Sequence, residues 1–464
     1  MQLNAFSLLS ERVRSALTKL GFSQATEPQI RAIQPILNGE NVLLIAPTGS
    51  GKTEAALLPI FSNFLEPRRK TGISILYITP LRALNRDMVK RLSMWAELLQ
   101  LSIEVRHGDT TAKIRRRQAL KPPNMLVTTP ETLQAILPGD LMRAHLSNVR
   151  FVVIDEVHEL AEDKRGVQLT VALERLRELT GRDFQRIGLS ATVSNPFEVA
   201  SFIAGTNRPL TIIEASTLKS YHYSVEYPLP TDADFDLAGE LSTAPEAAAR
   251  IRRILELVNS HVSTLIFVNA RTNAEDLGHK LLSLSSKIAV HHGSLSREER
   301  TTIEDQFKAG ILKALVCTST LELGIDIGHV DLAVLYLSPR HVSSLIQRVG
   351  RSGHRLDMVS RGVIITAFPD DTLEAVAAVR LASRNLLEPI RIHENALDVL
   401  AHQVAGILMD KTKVTVDEAF RIVNHAYPYC NLSKAKFMEL VRYLETLREL
   451  WREGEVLKKT NRTR

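Results

Sequence analysis

Ionisable side chains follow directly on an apolar run in the segment FVVIDEVHEL, residues 151–160. The run Phe, Val, Val, Ile is typical of a buried strand, and Asp155, Glu156 and His158 come soon after it. Adjacent carboxylates at the edge of a core destabilise a fold unless a cation binds them or a reaction uses them. The segment therefore predicts a functional site at the carboxyl end of a strand.

A second segment, NVLLIAPTGSGKT at residues 41–53, has the composition of a phosphate-binding loop. Glycines in such a loop allow backbone N–H groups to surround phosphates at a helix N-terminus. Lys52 is expected to neutralise the β- and γ-phosphates, and Thr53 to ligate magnesium. Ala46 stands where the usual first glycine would be, so the strict pattern is not met. The nucleotide-binding residues predicted here are Thr48, Gly49, Ser50, Gly51, Lys52 and Thr53.

These two segments are expected to face one pocket, because ligands of an open parallel sheet bind beyond the carboxyl ends of its strands. The predicted ligands are ATP and Mg²⁺. Asp155 would hold the magnesium ion through water, and Glu156 would be the base that activates the attacking water. The alternative for both carboxylates is a solvated acidic turn. His158 is either a hydrogen-bonded neighbour or a link from the site to a mobile element.

Length and composition indicate the class of protein to which the chain belongs. The 464 residues suggest about three domains, and 44% hydrophobic with 24% charged residues is ordinary for a soluble globular chain without membrane spans. The N-terminal segment is typical of an amphipathic helix rather than a secretory signal. Cys317 and Cys430 form no CxxC pair, which favours buried thiols in a reducing cytoplasm. A net charge of +6 is compatible with a polyanionic partner but is weak evidence for one.

Short apolar runs alternate with helical patterns over most of the chain, which favours parallel strands in layered α/β domains. Helices are predicted at 86–99 and at 296–310, the latter with a capping box from Ser296 to Glu299. Residues 221–244, rich in prolines and acids, are predicted to be a linker between two such domains. The predicted strands are 41–46, 73–79, 125–129, 151–155, 186–191, 264–269, 288–293, 314–319, 331–337 and 362–368.

From about residue 386 the strand patterns cease, and three amphipathic patterns predict a small helical domain. The second of these opens with a capping box from Thr415 to Glu418. The first and third have as their apolar faces Leu397, Leu400, Val404 and Leu408, and Phe437, Leu440, Leu444 and Trp451.

Eight short motifs occur in a recognisable order: APTGSGKT, TPLRALNRD, TTPETL, DEVH, LSATVSN, IFVNART, TSTLELGIDIG and QRVGRSGH. In this order and spacing they resemble the motifs of superfamily 2 helicases over about residues 20–360. HGDT, HHGSLS, LELGIDIG and ALDVLAHQ narrow the resemblance to the Lhr-like (large helicase-related) branch. Proteins of that branch are mostly prokaryotic, ATP-driven translocases on DNA and DNA–RNA hybrids.

The resemblance implies an α/β fold of two tandem RecA-like parallel-sheet P-loop domains followed by a small helical, winged-helix-like domain. The expected ranges are 1–212 for the first motor domain, 213–385 for the second and 386–464 for the winged-helix-like domain. In this family more sequence usually follows, so a further C-terminal module is expected to be absent or removed. A monomer in the prokaryotic cytoplasm, associated with the nucleoid and not with a membrane, is expected.

The resemblance also assigns residues of the first domain to nucleotide binding and coupling. Gln29 is similar to the glutamine that contacts adenine, although a helix-surface glutamine is the alternative. Ser190 and Thr192, with His158, are similar to residues that couple hydrolysis to domain movement, although either could merely satisfy a turn.

Residues of the second domain complete the implied ATP site. Asp326, next to Gly324, is similar to the residue that touches the ribose. Gln347 and Arg351 are similar to residues that face the phosphates, with Arg351 as the arginine that stabilises the transferring phosphoryl group. His354 stands where many relatives have a second arginine, so the roles of His354 and Arg355 stay open.

Nucleic-acid contacts are implied on a different face. Arg82, Thr129, Arg271 and Thr318 resemble residues that contact the sugar–phosphate backbone, and the amides near Gly108 and Gly293 are expected to bind phosphates. The basic run Lys113 to Arg117 either extends this track or is a solvated helix face.

The favoured function is a helicase that hydrolyses ATP to move along single-stranded DNA, 3′ to 5′, and unwinds DNA duplexes or DNA–RNA hybrids in repair or recombination. RNA is a further possible substrate. The alternative is an ATP-gated nucleic-acid clamp or an RNA-remodelling ATPase without processive unwinding, because both would use the same closure. A P-loop kinase or transporter ATPase explains neither QRVGRSGH nor a second α/β domain.

Overall fold

A computed structural model describes residues 5–47, 49–65, 72–80, 86–215, 220–322, 328–353 and 359–463. The chain divides into two compact units. Residues 1–216 together with 389–464 form the first unit, and residues 217–388 form the second. Among the described helices, none is long and apolar enough to cross a membrane.

A seven-stranded sheet with every neighbouring pair parallel forms the centre of the first unit, in the order β3-β4-β2-β5-β6-β1-β7. Its strands are β1 Val42–Ile45, β2 Ile75–Ile78, β3 Ile103–Arg106, β4 Met125–Thr128, β5 Phe151–Ile154, β6 Gln185–Ser190 and β7 Thr211–Glu214. Its helices are α1 Glu11–Lys19, α2 Glu27–Leu37, α3 Lys52–Leu65, α4 Arg86–Leu99, α5 Ala112–Leu120, α6 Pro130–Ile136, α7 Asp140–Leu146, α8 Val157–Ala161, α9 Lys164–Thr180 and α10 Pro196–Ala204.

Both faces of this sheet are buried, which is why its strands are continuous apolar runs. Leu44 and Val153 enter one hydrophobic cluster, whereas their neighbours Leu43 and Val152 enter another. Successive side chains of a strand point to opposite faces, so each run supplies both clusters. The five strands predicted for this region are confirmed, and β3 and β7 are additional.

The second unit contains a six-stranded parallel sheet in the order β10-β11-β9-β12-β13-β8. Its strands are β8 Tyr221–Glu226, β9 Thr264–Val268, β10 Ile288–His291, β11 Ala314–Cys317, β12 Leu332–Tyr336 and β13 Ser360–Ile365. Its helices are α11 Asp232–Glu240, α12 Pro245–Ser260, α13 Arg271–Leu284, α14 Arg297–Lys308, α15 Val342–Val349 and α16 Pro369–Ala382. The predicted capping box is confirmed, because Ser296 and Glu299 exchange both hydrogen bonds at the start of α14.

The prediction of a linker at residues 221–244 is wrong. Residues 221–226 form β8, which pairs in parallel with β13, and residues 232–240 form α11. Within the predicted linker, only residues 227–231, with Pro228 and Pro230, and residues 241–244 lack regular structure. The strand was missed because it stands at the end of the sheet order, where half-buried polar residues interrupt the apolar pattern.

Residues 389–464 contain three helices and a small antiparallel sheet in the order β14-β16-β15. The elements are α17 Leu397–Lys411, β14 Lys413–Thr415, α18 Val416–Asn424, α19 Lys434–Thr446, β15 Leu450–Glu453 and β16 Val456–Lys459. The expectation that strands cease after residue 386 is therefore wrong. Trp451 does not continue the apolar face of α19, because that helix ends at Thr446 and Arg448 takes a positive φ of 59°. Trp451 lies on β15 and is exposed.

Helix α9 is the surface on which this C-terminal region packs. Val167 and Val171 of α9 belong to the same hydrophobic cluster as Val404 of α17. The Arg175 guanidinium donates to Asp410 Oδ2 at 2.8 Å, and both side chains are almost fully buried. A shared core and a buried ion pair explain why the two segments fall into one unit.

Candidate functional site

The glycine loop lies between the end of β1 and the start of α3. Gly49 and Gly51 have positive φ values of 77° and 86°, which residues with a side chain rarely adopt. A Cβ on Gly51 would stand only 2.7 Å from Gln29 Nε2, so this position also lacks room for a side chain. The Ser50 hydroxyl closes the turn by donating to the carbonyl of Pro47 at 2.7 Å. Thr48 lies outside the described residues.

The loop ends at the N-terminus of α3. The first N–H groups of a helix have no partner within it and carry the positive end of the helix dipole, so the start of α3 favours an anion. Lys52, the first residue of α3, is buried, and its ammonium donates to the carbonyl of Ala46 at 2.7 Å. The lysine side chain therefore folds back to the residue that follows β1, and its predicted contact with the phosphates stays a prediction.

Asp155 directly follows β5, which is separated from β1 by one strand, β6. Its carboxylate is held by Tyr77. The Tyr77 hydroxyl, at the end of β2, donates to Asp155 Oδ2 at 2.6 Å and also makes a hydrogen bond with the side chain of Thr53. The three oxygen-bearing groups of Thr53, Tyr77 and Asp155 thus form one cluster. Burial, followed by the neighbouring Glu156, raises the pKa of Asp155 to about 6, while the Tyr77 hydrogen bond and the Lys52 charge lower it.

Glu156 begins α8 in a left-handed backbone conformation, with φ 47° and ψ 50°. Its N–H donates to Asp155 Oδ1 at 3.0 Å. A residue with a side chain in this region costs about 1–3 kcal/mol, and such residues cluster at functional sites. The turn places Glu156 beside Asp155 at the carboxyl end of β5, as the sequence predicted.

His158 connects this turn to the end of β6. Its Nδ1 accepts the N–H of Ala191 at 3.4 Å and lies 3.2 Å from the Ser190 hydroxyl oxygen. Burial, with the Lys52 charge acting in the same direction, lowers the pKa of His158 to about 3. The imidazole is therefore neutral at physiological pH, with its proton on Nε2. Of the predicted coupling residues, the structure joins His158 to Ser190, whereas Thr192 is exposed.

Gln29 is buried rather than a helix-surface glutamine. Its Oε1 accepts the N–H of Thr26 at the start of α2, and its Nε2 donates to the carbonyl of Gly51 at 3.4 Å. One amide thus connects the N-terminus of α2 to the glycine loop. The predicted contact with adenine stays a prediction.

The donor set fits a magnesium ion bound together with a nucleotide. Hydroxyl and carboxylate oxygens suit Mg²⁺, which is commonly held by one or two protein ligands, water and phosphates. Thr53 and Asp155 supply one of each. Within the described ranges, no group of three or more histidine, cysteine, aspartate or glutamate residues is arranged to hold a metal ion by itself.

A separate charged cluster lies in the second unit around Glu322. Its carboxylate accepts from Arg348 Nε at 2.6 Å, and its main-chain carbonyl accepts from Arg351 Nε at 3.0 Å. Arg348 also donates to Asn269 Oδ1 at 2.8 Å, and Asn269 donates to the carbonyl of Ser338 at 2.7 Å. Arg348, Arg351 and Glu322 are all buried. The sequence had given roles to Arg351 and to Gln347 of α15, but none to the other members.

Four residues of the second domain lie outside the described residues: Gly324 and Asp326, which were predicted for the ATP site, and His354 and Arg355, whose roles were left open.

The residues predicted to bind nucleic acid occupy the ends of strands in both units. Thr129 follows β4 and is the N-cap of α6, where its hydroxyl accepts the N–H of Thr132 at 3.4 Å. Arg271 begins α13, with its exposed side chain against Glu275 and Ser294. Thr318 follows β11. Arg82 lies outside the described residues.

Two turns of similar construction follow β3 and β10. In HGDT the N–H of Asp109 donates to His107 Nδ1 at 3.2 Å, and in HHGS the N–H of Ser294 donates to His292 Nδ1 at 3.3 Å. Each turn contains one of the glycines that the sequence singled out, Gly108 and Gly293. The basic run 113–117 lies on α5 with its cationic side chains exposed.

Sequence reasoning missed Tyr77, Arg348 and Glu322. The signal for Tyr77 was a phenol near the end of a buried apolar strand, since a buried hydroxyl requires a partner. Arg348 stood unassigned inside QRVGRSGH, and Glu322 inside LELGIDIG. The presence of an arginine in one motif and a glutamate in the other was the available signal for an ion pair.

Two family models match the chain. The DEAD/DEAH box helicase model matches residues 26–199, and the helicase conserved C-terminal domain model matches residues 246–355. The first range contains the glycine loop and DEVH, and the second contains the cluster around Glu322.

Curated relatives extend the similarity to about nine tenths of the chain. ATP-dependent helicase Lhr-Core protein 2 of Thermococcus barophilus is 39% identical over 91% of this chain and 51% of the relative. ATP-dependent helicase Lhr-Core of Methanocaldococcus jannaschii is 38% identical over 92% of this chain and 52% of the relative. The chain thus spans about half the length of these relatives.

Among solved structures, that of Mycobacterium smegmatis helicase Lhr bound to ssDNA and AMP-PNP matches with a TM-score of 0.87 and 33% identity. The match covers 99% of this chain and 61% of that chain. The two tandem RecA-like domains predicted from the sequence are confirmed by this match and by the two parallel sheets.

Proposed function

The chain belongs to the Lhr-like branch of the superfamily 2 helicases, and from this premise we propose that it hydrolyses ATP to move along single-stranded DNA and separate duplexes. The observation that carries the proposal is the cluster at the ends of β1, β2 and β5. There the ammonium of Lys52, the hydroxyl of Thr53 and the carboxylate of Asp155 surround a glycine loop at a helix N-terminus.

Each residue of the cluster has a separate chemical role in the proposal. The loop amides and Lys52 bind and orient the phosphates, which positions the γ-phosphate for in-line attack. Glu156 orients the attacking water and accepts its proton. Thr53 and Asp155 would hold a magnesium ion, which supplies neutralisation of the charge that develops on the phosphate oxygens. Tyr77 orients the Asp155 carboxylate by its hydrogen bond.

His158 is proposed to report the state of this site to the end of β6. Its Nδ1 already lies against Ser190 and Ala191, and Glu156 Oε2 lies 3.7 Å from the same nitrogen. A change in the position of Glu156 would therefore alter the contacts of the serine that the sequence assigned to coupling.

In the second domain Gln347 and Arg351 are proposed to act on the phosphates, with Arg351 as the arginine that stabilises the transferring phosphoryl group. The buried ion pair of Glu322 and Arg348 supports this role, because it fixes the segment whose carbonyl Arg351 contacts.

Single-stranded DNA is the proposed track. Support comes from the ssDNA and AMP-PNP in the matched Mycobacterium smegmatis structure. Backbone contacts from Arg82, Thr129, Arg271 and Thr318 would read no sequence. We further propose 3′ to 5′ movement, DNA–RNA hybrids as additional substrates, a winged-helix role for residues 389–464, and action on the nucleoid in the cytoplasm.

The decisive experiment measures ATP turnover and strand displacement in parallel. Substrates are single-stranded DNA, single-stranded RNA, and DNA duplexes and DNA–RNA hybrids with either a 3′ or a 5′ overhang. Stimulation by single-stranded DNA and displacement from 3′ overhangs are expected. Equal or faster unwinding from 5′ overhangs would contradict the polarity. Turnover without displacement on every substrate would instead identify an ATP-gated clamp.

A further inference from the structure

Arg165, the second residue of α9, connects two segments that are far apart in the sequence. Its Nε donates to the Glu131 carboxylate at 2.5 Å, and its Nη2 donates to the carbonyl of Pro80 at 2.6 Å. Glu131 lies in the first turn of α6, and Pro80 lies two residues beyond the end of β2. A single guanidinium therefore joins Pro80 to the start of α6.

Both segments carry residues of the proposed nucleic-acid track. Pro80 stands two positions before Arg82, and Glu131 stands two positions after Thr129, the N-cap of α6. A planar guanidinium with fixed donor directions sets both distance and orientation between its acceptors, which an ammonium does not. Displacement of Arg165 would thus shift the two segments relative to each other.

Arg165 also lies close in sequence to the turn that contains Asp155 and Glu156. Helix α8 follows Asp155 and Glu156 directly, and α9 begins three residues after α8 ends. A Cβ on Gly166 would stand 1.9 Å from the carbonyl oxygen of Leu160, so α8 and α9 are in direct backbone contact. Asp163 fixes the same junction by accepting the N–H of Arg165 at 3.0 Å. Arg165 therefore stands at a tightly packed junction between α8 and α9.

The Arg165–Glu131 pair contributes little to stability, because both side chains are more than a third exposed and exposed ion pairs are screened by water. Arg165 is thus more important for the arrangement of its two partners than for the fold. It touches neither of the carboxylates that act on ATP.

We propose that Arg165 is a positioning residue that couples the carboxylate-bearing turn at Asp155 and Glu156 to the two nucleic-acid-binding segments, at Pro80 and Glu131. The proposal rests on the proposed function. Two states of α8, with ATP bound and with ATP absent, correspond to two arrangements of the segments. By reciprocity, DNA that favours one arrangement favours the matching state of the ATP site.

The test compares Arg165→Gln with Lys164→Gln, the matched control, whose lysine pairs with Asp398 at 2.7 Å and contacts neither segment. ATP turnover is measured without DNA and over a range of single-stranded DNA concentrations. Arg165→Gln is expected to keep basal turnover and to lose DNA stimulation by at least about fivefold, the lower end of typical coupling between sites. Lys164→Gln is expected to match the wild type. Unchanged stimulation in Arg165→Gln would overturn the proposal.

Salt dependence separates positioning from direct phosphate binding. Loss of one phosphate contact lowers the slope of log affinity against log salt by about one. Arg165→Gln is expected to leave that slope unchanged. A slope reduced by about one would assign Arg165 to the track itself and overturn the positioning role.

Hydrogen exchange tests the coupling without DNA. Binding of a non-hydrolysable ATP analogue to the wild type is expected to change amide exchange in α6. In Arg165→Gln the analogue is expected to bind equally well while this change is lost. If the wild type shows the exchange response but no nucleic acid stimulates its turnover, the proposed function fails and the mechanical link stands. If α6 responds equally in both proteins, the link itself is refuted.

Discussion

The phenol of Tyr77 donates a 2.6 Å hydrogen bond to Oδ2 of Asp155, across neighbouring strands β2 and β5. This bond stabilises the ionised carboxylate, whereas burial and Glu156 favour its protonated form and raise its pKa to about 6. Only the ionised form is a magnesium ligand. In the proposed magnesium site, the balance between these effects therefore sets the lower limit of the pH range for metal binding.

Tyr77→Phe is expected to move this limit to higher pH, because loss of a donor to the carboxylate raises the pKa of Asp155 further. A hydrogen bond to a charged group contributes about 1.5–3 kcal/mol, which corresponds to a shift of about one pH unit or more. The measurement is affinity for an ATP analogue with magnesium between about pH 5 and 8. Tyr223→Phe, in the other unit, is the control and should retain the wild-type midpoint. If nucleotide affinity falls to half at the same pH in both variants, Tyr77 does not alter the pKa of Asp155.

Glu156→Gln and Lys52→Ala should separate catalysis from binding. Glu156→Gln removes the proposed base but keeps the shape, so turnover should fall by about 100-fold or more while ATP and DNA still bind. Lys52→Ala should weaken nucleotide affinity itself, because it removes the charge at the loop. Glu159→Gln, one position beyond His158, is the matched control for the glutamate change and should turn over normally. Similar nucleotide affinities for Lys52→Ala and Glu156→Gln would contradict this division of roles.

His158→Asn should alter how stability depends on pH. The pKa of His158 is lowered from 6.5 to about 3 by burial, so the unfolded chain binds more protons than the folded protein between these values. Stability is therefore lost as pH falls from 6.5 toward 3. Asp155 acts in the opposite direction, because its pKa is raised from 3.8 to about 6 and its protonated form favours the folded state in that window.

The asparagine variant lacks only the histidine contribution. The free energy of unfolding of both proteins is measured with urea at about pH 7 and about pH 4.5. On going to the lower pH, the wild type should lose more stability than the variant. A difference between the two proteins that is independent of pH would show that His158 titrates normally.

The sequence predicted features that depend on neighbouring residues better than features that depend on residues far apart in the chain. Apolar runs such as 151–154 predicted the central strands, because burial on both faces leaves no other composition. Edge strands at 103–106 and 221–226 have half-buried polar residues and were missed. The glycine loop and DEVH were predicted because contiguous residues define them. The bond between Tyr77 and Asp155 spans 78 positions, and the pair of Glu322 and Arg348 spans 26, so only the folded chain brings these partners together.

Glu322→Gln is expected to destabilise the second unit strongly. It leaves the buried guanidinium of Arg348 without its counter-charge, and removal of one partner from a buried pair costs about 3–5 kcal/mol. Glu226→Gln is the matched control, because its partner pair with Arg253 is about one third exposed and such pairs contribute about 1 kcal/mol or less. Calorimetric melting of both variants provides the comparison. If both variants show equally small shifts in melting temperature, the ion pair of Glu322 and Arg348 is screened by water.

Arg351→Ala tests the two-domain mechanism. The Arg351 guanidinium donates twice to the carbonyl of Glu322, which is a neutral acceptor. Phosphate oxygens are charged acceptors and form stronger bonds with arginine than a carbonyl does, which supports the role proposed for Arg351. Removal of the arginine should spare nucleotide binding to the first domain and abolish stimulation by single strands, with a loss of roughly 1,000-fold or more in turnover. Arg384→Ala, an exposed arginine of the same unit, should turn over normally. Retention of strand-stimulated turnover by Arg351→Ala would contradict this role, and His354 and Arg355, whose roles were left open, would then be tested in its place.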